Sequence, residues 1–426
     1  MKFKVIFCLL LLIAFAGCRG QEKETASVRF MVFGDPAEYL AYRNLVDAFH
    51  ETQSDVRVEL IHVPSVTDYR KRLATEYAAG SPPDISLMNY RRYASFAAKG
   101  MLQPLGAYLD ASPIIAPADF YPITLEAFTW QGELMCIPQN ISSLVVYYNQ
   151  DLFDEAGLPY PADDWDWAAF VSTARRLTLD RDDDGQIDQY GLGTEPSLFR
   201  LAPFVWQNDA PLVDSMTTPT RLTLTRPPAL AALQWFVDLR QVHGVAPGRV
   251  EEAALDSESR FIAGTTAMYL NSRRGTPTYR EIQSFRWDIA PLPAGKSEAG
   301  ILHSDAYCLS AVSPDKAAAW RFIEFANSVA GQSFIAQSGR TVPSLIEVAE
   351  SEVFLESGLP PARSRVFLET IPVLQLVPVI STWEEIERTA SEEVELAFYG
   401  DISAEEAAQL SMMRTEEYFV LGTHAR

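Results

Sequence analysis

The stretch from Gly132 to Pro159, GELMCIPQNISSLVVYYNQDLFDEAGLP, constrains the fold more than any other. A short apolar piece ends at Pro138. Gln139-Asn140 and Ser142-Ser143 interrupt it with polar groups. Leu144 to Tyr148 resume the apolar run, Asn149 is placed to cap a helix, and Gly157 to end it. Apolar, polar, apolar along one extended segment reads as a chain crossing between two packed bodies. Polar groups such as Asn140 and Ser142 are then exposed at the crossing, where hinges and clefts form. At 426 residues the chain exceeds what one core usually holds, which also favours two domains.

The first residues read as an address. Lys2 and Lys4 supply positive charge, and Val5 to Ala16 is apolar and too short for a permanent membrane span. Phe15-Ala16-Gly17-Cys18 resembles a bacterial lipobox, with Phe15 in place of the usual Leu. That resemblance implies a signal peptide over residues 1–17, diacylglycerol on Cys18 and a polar tether over 18–27, with plain secretion as the alternative. The membrane is then met only through lipid, on the periplasmic or extracellular face of the cell envelope. The formal charge is −21, and losing Lys2 and Lys4 makes the mature chain more acidic still. Nucleic acid and anionic lipid surfaces are poor partners for it.

Beyond the tether, strand and helix patterns alternate. Val28–Gly34 alternates as a strand, and Asp35-Pro36-Ala37-Glu38 starts a helix. Val56–Val63 is a second strand, Asp68–Ala79 a second helix, and Asp84–Met88 a third strand. Such βαβαβ order predicts a parallel twisted sheet that binds ligands beyond the carboxyl ends of its strands. Topology therefore nominates Asp35, Asn89 and Tyr90. Further on, Asp180, Asp182, Asp184 and Asp188, with Gly185 among them, resemble a calcium loop. Its twelfth place is Gly191 instead of a bidentate Glu, so an acidic turn held by Asx hydrogen bonds is the plainer reading. Any calcium there would be structural, and no other cofactor is required.

The order and spacing of many segments resemble the family 1 extracellular solute-binding proteins, the maltose-binding-protein-like subunits of ABC sugar importers. The segments are Gly34-Asp35, Asn89-Tyr90, FAAKGMLQP from Phe96, the crossing itself, DDWDW from Asp163, FIAGTTAM from Phe261, WDIAPLP from Trp287 and HSDAY from His303. The resemblance implies an α/β fold of two lobes, type II-like, each a mostly parallel sheet flanked by helices. Lobe 1 would take residues 28–136 and 308–348, and lobe 2 residues 139–305 and 349–426, with hinges near 136–140 and 303–309. It implies a cleft holding Asp35, Asn89, Tyr90, Asn140, Ser142, Glu195, Trp206, Arg273, Arg274, Asp305 and Trp383, and it leaves His303 to the loop. Ser381–Glu384 reads as a capping box that fixes Trp383 in a first helical turn. Relatives often have Gly and Trp where this chain has Ser272 to Arg274; the arginine forks suit a carboxylate or phosphate as well as vicinal hydroxyls. The resemblance also makes the strands carrying Cys136 and Cys308 neighbours. Two buried free thiols are favoured there over a disulfide, which an oxidising compartment would permit.

Acid, amide, arginine and aromatic groups in one cleft suit a binder of sugar, whose hydroxyl edges and CH faces they match. A permease and an ATPase would be the partners, and the protein would work as a monomer in the cell envelope. The rival readings are a lipid-anchored glycoside hydrolase, which needs two carboxylates at a set separation, and a ligand sensor for a membrane receptor.

Overall fold

The computed structural model describes residues 25–424, so the expected signal peptide, Cys18 and most of the expected tether lie outside the described residues. The first strand, β1 (Ala26–Phe33), buries both its faces. Val28, Phe30 and Val32 point to one side and Met31 to the other. A strand buried on both faces needs helices on both sides of its sheet. Phe30 accordingly meets Tyr42, Tyr307 and Phe322 at ring-centroid distances of 5.7, 5.6 and 5.2 Å. Helix α1 (Pro36–Thr52) follows, capped by Asp35, whose carboxylate accepts from the N–H groups of Ala37 and Glu38. Then come β2 (Val56–Val63), α2 (Val66–Ala78) and β3 (Ile85–Asn89).

Two sheets organise the molecule. The first has the order β2–β1–β3–β9–β4, where β4 is Cys136–Pro138 and β9 is Asp305–Leu309. The second has the order β8–β5–β7–β6, formed by β5 (Val145–Asn149), β6 (Tyr190–Gly193), β7 (Thr266–Asn271) and β8 (Trp287–Ala290). The fold is therefore mixed α/β with two lobes. Each sheet is mostly parallel in strand direction, as expected, with a single reversed strand, β9 in the first and β5 in the second. β1 is parallel to β2 and β3, and β6 to β7, but β9 runs antiparallel to β3 and β4, and β5 antiparallel to β7 and β8. The reason is the crossing. A strand arriving from the other lobe enters its sheet at the cleft end, so it runs against strands that point toward the cleft. Asp305, the first residue of β9, thus pairs with Asn89, the last of β3, and Val145, the first of β5, with Asn271, the last of β7.

Three segments run side by side between the lobes. Ser142 and His303 exchange backbone hydrogen bonds of 2.8 and 2.9 Å. Gln139 N–H donates to Asp305 O at 2.8 Å, and Ile141 N–H to Val342 O at 2.9 Å. Residues 341–344 are thus a third member of the crossing, beyond the two anticipated.

Cys136 and Cys308 are directly opposed in the β4–β9 ladder, with Cα atoms 4.4 Å apart, and they form a disulfide. This corrects the preference for free thiols: antiparallel register brings the two sulfurs together. The bond closes a loop spanning 172 residues of sequence, and removing a link of this kind typically costs about 2–5 kcal/mol.

Asn149 caps the helix Gln150–Glu155, and Ser403 accepts from Glu406 N–H at the start of α5 (Ala404–His424). The capping box at 381–384 does not form. Helix α4 (Trp383–Phe398) starts one residue later than that box requires, and the Thr382 hydroxyl donates instead to Tyr418 O at 2.7 Å. Among the described residues no helix is long and apolar enough to cross a membrane.

Candidate functional site

A cleft of about 560 Å³ opens where the carboxyl ends of β3 and β7 face each other across the crossing. Six anticipated residues line it: Asn89, Asn140, Ser142, Glu195, Arg274 and Asp305. Three of them, Asn89, Asp305 and Asn140, form a connected polar floor. Asn89 Nδ2 donates to Asp305 Oδ1 at 3.1 Å, and Asp305 N–H donates to Asn140 Oδ1 at 2.8 Å. The Ser304 hydroxyl donates to Asn140 O at 2.6 Å. Each amide is therefore oriented by the backbone or by a neighbour before any solute arrives, the preorganisation that a binding site needs.

Asp35 stands at the edge and is ion-paired with Arg340, which itself lines the cleft and lies 2.7 Å from Glu38. Glu38 folds back over Gly34. A Cβ on Gly34 would fall 1.7 Å from Glu38 Oε2, and its φ of +134° suits glycine, so this turn requires a residue without a side chain. Burial pushes the Glu38 carboxyl up to about 7, outweighing the opposing pull of Arg340.

Four anticipated residues belong to the packing instead of the cleft wall. Tyr90 is buried under the β3 end, and its N–H donates to Ser304 O at 3.1 Å. Trp206 is buried in the helix α3 (Leu198–Gln207). Trp383 is buried, with its indole N–H on Glu387 at 3.2 Å. Arg273 is fully buried and clamps the 339–364 segment, donating to Gly339 O at 2.8 Å and Ser364 Oγ at 3.1 Å and pairing with Glu356 at 3.0 Å. Burial lowers its pKa to about 10, which leaves it charged at neutral pH.

In each case a near neighbour faces the cleft. Arg91, next to Tyr90, lies 3.8 Å over the Phe199 ring, donates through Nε to Asn89 Oδ1 at 3.2 Å, and pairs with Glu387 of α4. Glu384, next to Trp383, pairs with Arg92 at 2.9 Å. Arg274 follows Arg273 on the same tight turn. Phe199, two helical turns before Trp206, packs against His303 in a tilted ring pair with centroids 4.6 Å apart, and both line the cleft. Phe199, Arg91 and His303 are the residues the sequence reading missed. The signal for Phe199 was weak: an aromatic just inside a helix N-terminus is common in any core. His303 is held neutral, because burial and then Arg200, Arg91 and Arg274 push its pKa well below the usual range.

In the acidic loop, ligand oxygens of Asp180, Asp182 and Asp188 lie within 4.8 Å of one another. Asp184 is occupied with its own turn, where it accepts from Gln186 N–H at 2.7 Å.

Because Trp383 is core, Trp383→Ala is expected to lower unfolding free energy by about 3–5 kcal/mol. Denaturant unfolding without solute measures this. A loss below about 1 kcal/mol would place the indole outside the core.

The sequence pattern of the bacterial extracellular solute-binding proteins matches residues 34–333. A putative binding protein of Brucella abortus is 22% identical over 337 residues, 78% of each chain. Among solved structures, the ABC substrate-binding protein Lmo0181 of Listeria monocytogenes, in complex with cycloalternan, superposes with a TM-score of 0.84. It is 22% identical, over 94% of this chain and all of that one. The GacH receptor of Streptomyces glaucescens, solved unliganded and with acarbose, has a TM-score of 0.80 at 19% identity, covering 93% of this chain and 99% of its own. With the family match spanning most of its length, the chain belongs to the bacterial extracellular solute-binding proteins.

Proposed function

We propose that the protein captures a sugar or oligosaccharide in the interlobe cleft and presents it, closed, to the permease of an ABC importer. The observation that carries this reading is the polar floor of Asn89, Asp305 and Asn140, built from both crossing segments and the end of β3. Amide and carboxylate groups oriented in this way match hydroxyl pairs, and Phe199 with His303 adds aromatic surface at the side. The Listeria protein, solved with cycloalternan, and the Streptomyces receptor, solved unliganded and with acarbose, support the same class of solute.

The carboxylates of the cleft support binding over hydrolysis. Glu38 is held by Arg340, Glu195 by Arg200 and Glu384 by Arg92, while Asp305 accepts from Asn89. A glycosidase needs one acid free to protonate the leaving group and another free to attack or to activate water. Here each is tied to a fixed partner.

The reading includes closure. Contacts made only in the closed form stabilise it when solute is bound. Arg91–Glu387 and Arg92–Glu384 already join the β3 end to α4 beside the cleft.

We also propose that Cys18 carries the lipid that anchors the protein to the envelope. Cys18→Ser should move the protein from the membrane to the soluble fraction, and a protein that stays with membranes would contradict the anchor.

The test of solute class is a thermal-shift screen against mono- and oligosaccharides. A ligand that binds only the folded state raises the midpoint with concentration, by about 2.7 kcal/mol of stability at a hundred times Kd. One or more saccharides should do so, and Asp305→Ala should reduce the shift without lowering the ligand-free midpoint. A shift unchanged by Asp305→Ala would remove the polar floor from the binding site.

A further inference from the structure

The chain is acidic, at −21 overall, yet its cleft is not. Seven basic side chains line it against four acidic ones. Most of the basic groups are committed. Arg91, Arg92, Arg200 and Arg340 each have a carboxylate partner within ion-pair distance, and Arg70 approaches Glu384 at 3.9 Å. Among the described residues Lys99 and Arg274 have no ion-pair partner; Lys99 lies on the first lobe, and Arg274 is exposed into the cleft from the turn after β7.

Two buried nitrogens beside it also lack a partner. Arg200 is 6% exposed, lines the cleft and pairs with Glu195 through Nη2 at 3.2 Å, but its Nε has no acceptor. His303 lines the same wall, and its Nε2 has none either. A buried donor without an acceptor costs about 1–3 kcal/mol, so evolution tolerates one where a ligand completes it. Three cations, Arg200, Arg91 and Arg274, act on the His303 imidazole together, which sets their charges on one locality. The acids of the cleft do not cancel it. Glu38 and Glu384 are engaged by Arg340 and Arg92, Asp305 accepts from Asn89, and Glu195, 61% exposed, pairs with Arg200, so none of the four pairs with Arg274.

We propose that the solute carries an anionic group, a carboxylate or a phosphate, held by Arg274, Arg200 and His303 on the wall formed by β7 and α3. The proposal rests on the saccharide reading above and specifies it. The anion end and the hydroxyl-binding floor of Asn89, Asp305 and Asn140 would sit on opposite walls, with Ser142 between them. A planar guanidinium offers two parallel donors to a carboxylate or phosphate, and burial strengthens the pairing. A neutral sugar would leave the Arg274 charge without a counter-ion in the closed cleft, which works against closure.

The experiment is calorimetric titration of the full-length protein with maltose, digalacturonate, glucose 6-phosphate and inorganic phosphate. Each is run on the native sequence, Arg274→Ala and Arg274→Lys. The expected result is binding of digalacturonate or glucose 6-phosphate in preference to maltose. That affinity should weaken about tenfold or more in Arg274→Ala, recover in part in Arg274→Lys, and fall as ionic strength rises. Tight binding of maltose, unchanged in Arg274→Ala, would overturn the anionic group and leave the saccharide reading standing. Binding of inorganic phosphate alone, with no saccharide, would overturn the saccharide reading. Failure of all four to bind would overturn both for these solute classes.

Discussion

The paired backbones at the crossing carry the architecture. Ser142 and His303 exchange hydrogen bonds, Gln139 donates to Asp305, and Ile141 donates to Val342. This narrow ribbon joins the two sheets, continuing from β4 and β9 on one side to β5 on the other. It sets the direction in which β5 and β9 enter their lobes, and so turns the carboxyl ends of β3 and β7 toward one gap. It also supplies the floor, because alternate residues of an extended chain point to opposite sides. Asn140 and Ser142 reach the cleft, while Ile141 is buried. The Cys136–Cys308 bond fastens the ribbon to the first lobe only, one ladder beyond the crossing. Movement between the lobes is thereby confined to the few residues between Pro138 and Val145 and their two neighbouring segments.

Electrostatics divide the molecule between surface and cleft. An acidic exterior keeps the protein soluble and away from anionic surfaces, while the basic wall around Arg274 gives the interior the opposite sign. Ion pairs with designated partners keep the remaining arginines from competing. Arg273 shows the cost of the alternative. Its charge is fully buried, and it is held by a carboxylate, a hydroxyl and a carbonyl, because a buried cation with fewer partners would destabilise the lobe.

The sequence disclosed the segments of the site better than its side chains. Tyr90, Arg273 and Trp383 each sit one residue from a group that faces the cleft, namely Arg91, Arg274 and Glu384. Trp206 lies on the same stripe as Phe199 but about 10 Å farther along the helix. Motif order can place a turn or a helix end. Which of two neighbouring residues turns outward depends on one rotation of the backbone, and tertiary packing decides that. Large aromatics win the interior position because burying them stabilises more than burying a charge. The strand–helix alternation of the first lobe, the Asp35 and Asn149 caps and the crossing itself were legible, since each follows from local pattern. The disulfide and the third crossing segment were not, since both depend on register between residues far apart in the chain.

The central claim is that the crossing is a hinge and the cleft closes on its solute. Small-angle X-ray scattering of the protein, alone and saturated with the saccharide that binds it best, tests this directly. A hinge at residues 139–144, 302–305 and 341–344 predicts a smaller radius of gyration in the bound state, with the disulfide intact in both. An unchanged radius at full occupancy would contradict the account, because the two lobes would then behave as one rigid body.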